Sequence, residues 1–444
     1  MPIRHSGGAA LAVLALLPAV PAVAQESCAV PPAAAPIPAD TGSLTIPAIL
    51  DAVRAASPDI RAAALETVAQ RHEAAQAGLW ENPVLSVEAE NFGADALGSA
   101  GPLRGYDAAE TTVSIGQTFR IGGQRRLDRR AAAARAAVAA ADRDLVLRTV
   151  EREAVSLAYE LAAAREAASL FEEAAGLAED LEGAVRARVE AGESPRAALD
   201  RAVAARADAE AAAEEALGTA EALAFALATL WGRTAPVEVD LPSFWNEAQL
   251  PPIERLTARL TDHPQRRIAD ATAEARAAEH RAARAEAYPD VTASVGVRRF
   301  EADGTEALVA GLSVPLPLFD RNQGNRRAGR ARAAGSAYEA EIAARRLVAR
   351  AGQAVALAER AERRRRTLVE EALPAAEAAA EAARIGYREG KFDLTTALDA
   401  QTRLVETRRA ALTAALAARQ GQADVLSLAS LPPFSPTYCQ EANR

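Results

Sequence analysis

The chain has 444 residues, with 51 Lys and Arg against 60 Asp and Glu, a formal charge of -9, and aromatic residues making up only 4%. The acidic balance argues against a nucleic-acid partner. Two cysteines and four histidines are too few and too scattered for a metal-ligand cluster, so neither a metal nor a cofactor is expected.

Residues 1–24 carry Arg4 and His5, an apolar run over 9–20 and an Ala22-Val23-Ala24 cleavage site. They predict a signal peptide and a mature chain starting at Gln25. The run is too short to span a bilayer as a helix, and no later run is long enough. Gln25, Glu26 and Ser27 ahead of Cys28 are not the small apolar residues that lipidation requires. In an oxidising compartment Cys28 and Cys439, one near each end of the mature chain, are expected to form a disulfide; two separate thiols are the alternative.

After an N-terminal segment at 25–45, the chain reads as one plan written twice: 46–231 and 252–430, joined by a proline-rich connector at 232–251 and followed by a tail at 431–444. Each half runs helix, strand, loop, strand, Gly/Arg-rich turn, very long helix, tight turn, shorter helix. LWENPVLSVEAENF (79–92) answers EAYPDVTASVGVRRF (286–300), and AGESPRAALDRA (191–202) answers EGKFDLTTALDA (389–400). A period near 200 residues is a duplication and not a solenoid.

In chain order, the first helix is expected over 46–80. Strands follow at about 83–92 and 111–119, where Leu85, Val87, Val113 and Ile115 alternate with polar or small residues. From about 125 to 190 apolar or alanine residues fall at 147, 150, 154, 157, 161, 164, 168, 171, 175 and 178, the alternating three-four spacing of a coiled-coil seam. At 1.5 Å per residue such a helix is about 100 Å long, which suits a tube or stalk. A shorter helix is expected over 195–231. The second half offers a helix over 252–287, strands at about 290–300 and 307–315, a long helix over 326–387 that Pro374 should kink, and a helix over 394–428. His72, His263 and His280 lie in helical sequence without a second ligand at i+4 and read as surface or interface residues. The Arg363–Arg366 run reads as a solvated face.

Period-two alternation is the signature of a transmembrane β-strand, although a half-buried soluble strand looks the same. Trp80 and Tyr288 precede the ascending strands, Phe119 and Phe319 follow the descending ones, and Phe92 and Phe300 sit at the far ends. They are expected to form two interfacial girdles. Glu88, Glu90 and Arg298 are expected to face a lumen, because lipid penalises charge. Arg120, Arg125, Arg126, Arg129 and Arg130 would lie just below the membrane, against headgroups or as a solvated face. Four strands cannot close a barrel, and open edges are not tolerated in lipid. Two copies supply eight strands and three supply twelve; counting does not choose between them.

The motifs N-P-x-L-S-x-E-x-E-N-F-G (82–93), P-D-V-T-A-S-V-G-V-R-R-F (289–300), L-S-V-P-L-P-L-F-D-R-N-Q-G-N (312–325) and G-Y-R-E-G-K-F-D-L-T-T-A-L-D-A-Q (386–401) resemble the TolC-like outer-membrane efflux family. They are most similar to its heavy-metal (CzcC-like) branch. The resemblance implies an α+β membrane protein that is not an enzyme. Its long helices would build an α-helical coiled-coil barrel, and four strands per copy would join a twelve-stranded β-barrel in a homotrimer. The resemblance also implies a location in the outer membrane extending into the periplasm, a periplasmic membrane-fusion adaptor and an inner-membrane RND-type pump as partners, and heavy-metal cations as cargo. A duct for drugs or for type I protein secretion shares the architecture; a periplasmic adaptor or stalk would explain the helices but not the hairpins. The tip turns would lie at Gly192 and Gly390. Asp399, with Asp200 and Thr396, would surround a periplasmic aperture. Leu199, Phe392, Leu394 and Leu398 would dock the adaptor or else staple the helices together.

Overall fold

The computed structural model describes residues 43–91 and 109–431, which belong to one compact unit spanning Ala33–Arg444. The segment expected to be a signal peptide, and Cys28, Phe92 and Cys439, lie outside the described residues. Nine α-helices and four strands are described: α1 (Ile46–Ala56), α2 (Pro58–Gln76), β1 (Val84–Glu90), β2 (Glu110–Arg120), α3 (Gln124–Glu190), α4 (Arg196–Thr229), α5 (Ile253–Arg259), α6 (Pro264–Ala285), β3 (Asp290–Phe300), β4 (Glu306–Ser313), α7 (Gln323–Arg366), α8 (Leu373–Arg388) and α9 (Leu394–Leu428). Among these residues no helix is long and apolar enough to cross a membrane.

The long helix α3 runs unbroken for 67 residues. Its buried residues include Val150, Ala154, Leu161, Ala164, Ala168 and Ala178, so the coiled-coil seam is the face that meets its neighbours. Alanine dominates because it loses no side-chain entropy and lets helices approach closely. Both long helices start from a left-handed residue, Gly123 (φ 76°) and Asn322 (φ 55°). That turn swings the chain from strand to helix.

The first helix of each half is interrupted where the sequence suggested continuity. The 46–80 segment breaks at Ser57, which takes an extended ψ of 127° ahead of Pro58. The 252–287 segment breaks at His263 ahead of Pro264. A residue before proline is excluded from helical backbone by the clash with the ring. The duplication therefore includes the break.

Pro374 acts differently. The six residues before α8, Thr367–Ala372, widen into a π-helical turn. Proline cannot donate to the carbonyl of residue 370 and its ring crowds that oxygen; an extra residue in the turn relieves both problems.

The four strands form one antiparallel sheet in the order β1-β2-β3-β4. The two hairpins join edge to edge through β2 and β3, from Glu110↔Phe300 to Arg120↔Asp290. Gly296 lies so close to its neighbour that a Cβ would stand 2.5 Å from the Val113 carbonyl oxygen.

The connector is a belt across the middle of the long helices. Leu44 bridges to Val239, and the first core unites Ile49 and Val53 of α1, Ala154 and Leu161 of α3, Leu227 of α4, and Trp231 and Val237. The matching core of the second half joins Leu256 and Leu260 to Leu347, Ala351 and Val425. Between them Phe244 packs with Ala163, Leu412 and Ala415. Buried arginines hold the belt by its carbonyls. Arg419 donates to Phe244 O (3.1 Å), Asn246 O (2.5 Å) and Ser243 O. Arg365 donates to Trp245 O (3.2 Å) and pairs with Glu362 (2.7 Å). The Arg363–Arg366 run is therefore not wholly a solvated face: Arg365 is buried, because the belt needs a cation where its carbonyls converge.

Of the surface and interface readings of His263, the structure selects the interface. The residue is buried and caps α6, its Nδ1 accepting from the Gln265 backbone N–H at 3.2 Å. Burial, aided by the Arg350 and Arg148 charges, pushes its pKa down to about 4 from 6.5. The ring is then neutral in the fold, while the unfolded chain takes up a proton between about pH 6.5 and 4. Its contribution, on the order of 2–3 kcal/mol, is complete above pH 6.5 and lost as pH falls towards 4. His263→Asn keeps a cap without a titrating group. Denaturation of this variant followed over that pH range is expected to show a shallower loss than the native chain; parallel curves would exclude the assignment.

Candidate functional site: the two-faced sheet and the helical tip

The pairing register sorts the sheet into two faces, because side chains alternate across a strand. One face carries the rows Leu85–Ile115–Val295–Ala310 and Val87–Val113–Val297–Leu308. The other carries Glu88–Thr112–Arg298–Ala307 and Ser86–Ser114–Gly296–Val309. Burial runs opposite to the rule for a soluble sheet. Leu85 is 69% exposed, Val87 66%, Leu308 77% and Leu312 72%, whereas Thr112 on the polar face is 6% exposed. Among the described residues no helix covers the apolar face, and soluble proteins rarely leave so continuous an apolar surface open to water.

Two of the three residues expected to line a lumen meet on the polar face. Arg298 pairs with Glu90 (3.1 Å) and Glu110 (3.0 Å) and donates from Nε to Thr112 (3.0 Å). Glu88 shares that face by register. Glu110 lies just outside the strand expected at 111–119 and begins β2 in the structure; its even phase with Thr112 is the signal that places both on the polar face. Thr118 and Thr292 continue the polar face with a 3.0 Å contact.

The aromatics divide. Trp80 and Phe119 pack edge to face with ring centroids 6.1 Å apart; Tyr288 is exposed, and Phe319 is 91% exposed. Leu316 and Leu318 are exposed beside Phe319. Phe300 does not fit a girdle: it pairs with Glu110, two residues from Arg298, and so stands on the polar face by the period of the strand.

At the opposite end of the long helices lie two turns. Gly192 (φ 76°) and Gly390 (φ 72°) occupy left-handed backbone, which closes a helix end without a Cβ clash. Asp393 caps α9 by accepting from the Thr396 N–H at 2.8 Å, and its hydrogen bonds with Thr396 hold the carboxyl below its ordinary range. Val185, Ala202, Tyr387 and Ala397 form a tip core, with Leu199 and Leu394 packed against it. Those two leucines staple the helices together. Phe392 is about half exposed, with its ring against Gly386. Leu398 is half-buried, while Asp200, Thr396 and Asp399 are exposed. Glu182 of α3 ties α4 at Arg206 (2.7 Å); hydrogen bonds from Arg206 and Arg186 hold its carboxyl below the usual range.

These features have counterparts in known proteins. The family described as outer membrane efflux protein matches residues 49–233 and 259–430. The chain is 28% identical over 373 residues to the cobalt-zinc-cadmium resistance protein CzcC of Cupriavidus metallidurans, covering 83% of this chain and 85% of that one. It is 31% identical over 270 residues to the nickel-cobalt-cadmium resistance protein NccC of Alcaligenes xylosoxydans xylosoxydans, covering 61% and 60%. A crystal structure of CusC, described by its transmembrane channel formation, superposes with a TM-score of 0.73 at 16% identity, covering 91% of this chain and 98% of that one. That likeness shows the fold, in which long helices serve a helical barrel and a four-stranded sheet serves a β-barrel. The family consists of channels and not enzymes. With an exposed apolar sheet face, a helix of 67 residues and a family match over both halves, the chain belongs to the outer membrane efflux protein family.

Proposed function

We propose that three copies of this chain form one passive duct through the outer membrane and down into the periplasm, conducting heavy-metal cations handed over by a periplasmic adaptor and an RND-type inner-membrane pump. The observation that carries this proposal is the inverted sheet: apolar rows exposed, and on the central strands β2 and β3 the polar face more sheltered than the apolar one. Such a sheet is stable with lipid on one side and water on the other. Its edge strands β1 and β4 are each paired on one side only, and sister copies would seal the open edges. Twelve strands leave room for a channel, whereas eight are filled by their own side chains. In this assembly Glu88, Glu90 and Arg298 line the lumen, and Trp80, Phe119, Tyr288 and Phe319 border the membrane on the helix side.

The relatives named for cobalt, zinc, cadmium and nickel resistance support metal cations as cargo. At the tip, Asp399 and Asp200 of three copies would ring a narrow opening, attracting cations and repelling anions. Thr396 stands one turn before Asp399, so a second acidic ring is not expected there. Phe392 and Leu398 would meet the adaptor. Deletion of the gene is expected to lower tolerance to zinc, cobalt, cadmium or nickel while leaving tolerance to dyes and antibiotics unchanged. Complementation with Asp399→Asn should restore tolerance only partly. Unchanged metal tolerance in a strain lacking paralogues, with new sensitivity to dyes, would replace this proposal with a drug duct. A purified mature protein that is monomeric without detergent would overturn the duct itself.

A further inference from the structure

The boundary between sheet and helices on the apolar side is built in layers. Phe119 ends the exposed apolar face of β2, and Trp80 packs its ring edgewise on Phe119. The Arg125 guanidinium carbon lies 3.9 Å from the centroid of the Trp80 ring. One helical turn further along α3, the stem of Arg129 runs against Gly78, where a Cβ would stand 2.9 Å from its Cδ. Arg125 and Arg129 therefore continue the apolar face in the order hydrocarbon, indole, guanidinium, guanidinium.

Their charges are unspent. Among the described residues, neither forms an ion pair within 4.0 Å, and neither do their neighbours Arg126 and Arg130, of which Arg126, Arg129 and Arg130 are exposed. The contrast is Arg120, which points to the polar side and is claimed by Asp128 (2.8 Å) and Glu286 (2.6 Å). The acids closest in sequence are therefore accounted for: Asp128 serves Arg120, and Glu81 engages neither Arg125 nor Arg129. GQRRLDRR (123–130) is answered in sequence by GNRRAGRA (324–331), but α3 starts at Gln124 and α7 at Gln323, so Arg326 and Arg330 stand two residues further along their helix than Arg125 and Arg129 and do not repeat the layering.

The geometry points to a binding site on Arg125 and Arg129 for the anionic, phosphate-bearing headgroup of a phospholipid in the leaflet nearest the helices. This rests on the lipid-facing assignment of the sheet made above. A guanidinium presents a planar fork of donors that matches phosphate oxygens two at a time. The Trp80 face fixes Arg125 in place while leaving the fork free. Acyl chains would lie along the exposed Leu85–Ile115–Val295 row, and the phosphate at the depth where the apolar surface ends.

The test uses the full mature protein in nanodiscs of phosphatidylethanolamine alone or mixed with phosphatidylglycerol, with retained lipids counted by native mass spectrometry. Phosphatidylglycerol should be retained over phosphatidylethanolamine by about tenfold at low salt, roughly threefold for each of the two arginines, a modest share of the preference that a basic residue has for an anionic surface. High salt should abolish most of the difference. Arg125→Gln/Arg129→Gln should bring retention close to parity. Arg129→Gln alone, which leaves the Trp80 stack intact, should lose about threefold and keeps the test open if the double variant folds poorly. Equal retention of both lipids by the inserted native protein, or unchanged retention by inserted Arg129→Gln, would overturn the site. Protection against heating by inorganic phosphate as strong as that by phosphatidylglycerol would instead make it a free-anion site and overturn the lipid assignment. A native protein that never enters the nanodisc defeats the lipid-facing assignment itself, an outcome distinct from the other two.

Discussion

Arginine in place of Val295 is expected to remove the protein from the membrane fraction. Val295 pairs with Ile115 on one side and Ala310 on the other, in the middle of the exposed apolar face. A charge at bilayer mid-depth on the lipid face costs about 2–4 kcal/mol per copy, and an assembly of three copies multiplies that cost. The matched control is Glu88→Lys, which changes charge by two units on the polar face. It should leave insertion and assembly intact, because that side meets water. Fractionation followed by heat-dependent mobility in gels reads both outcomes. If Val295→Arg inserted and assembled like the native chain, the apolar face could not be the lipid face, and the duct would lose its physical basis.

The second large effect is expected at Glu151. This carboxylate is 1% exposed, accepts from Arg54 Nε at 2.6 Å and pairs with Arg148 Nη1 at 2.8 Å. It joins α1 to α3 beneath the first core. Glu151→Ala leaves the buried Arg148 without this counter-charge, and breaking one partner of a buried pair costs about 3–5 kcal/mol. Replacing all three by apolar residues, Arg54→Met/Arg148→Met/Glu151→Met, should recover much of the loss, since the desolvation penalty then disappears along with the attraction. Denaturation midpoints in detergent distinguish the cases. A Glu151→Ala chain as stable as the native one would mean that solvent reaches the site and that α1 is held by its apolar contacts alone.

Much of the architecture could be read from residue spacing. The three-four pattern along α3 is a direct imprint of helix periodicity on a buried face, and the period-two pattern of Leu85, Val87, Val113 and Ile115 is the same imprint for strands. Both survive because each concerns residues close in the chain. The proline breaks at Ser57 and His263 are also legible in principle, because the rule that a residue before proline avoids helical backbone is local and holds for both Ser57-Pro58 and His263-Pro264. Phe300 was assigned by its position at a strand end, when its phase relative to Arg298 already set its face.

Other features depended on groups far apart in sequence. Nothing in the Arg363–Arg366 run distinguishes Arg365 from its neighbours; it is buried because the carbonyl of Trp245, 120 residues away, needs a donor there. Glu110 and Glu90 became partners of Arg298 only when β2 paired with β3. The depressed pKa of His263 follows from its enclosure and from Arg350 and Arg148, none of which its own segment reveals.

By itself, the sequence determined the duplication, the helix and strand periods and the two-faced character of each strand, because these are set by covalent neighbours and local periodicity. Tertiary structure alone decided which charges are paired and which remain open, where the connector is clamped, and that the apolar rows of four separate strands merge into one uncovered face. Long-range contacts carry their energy through burial and distance, and neither quantity exists until the chain has folded.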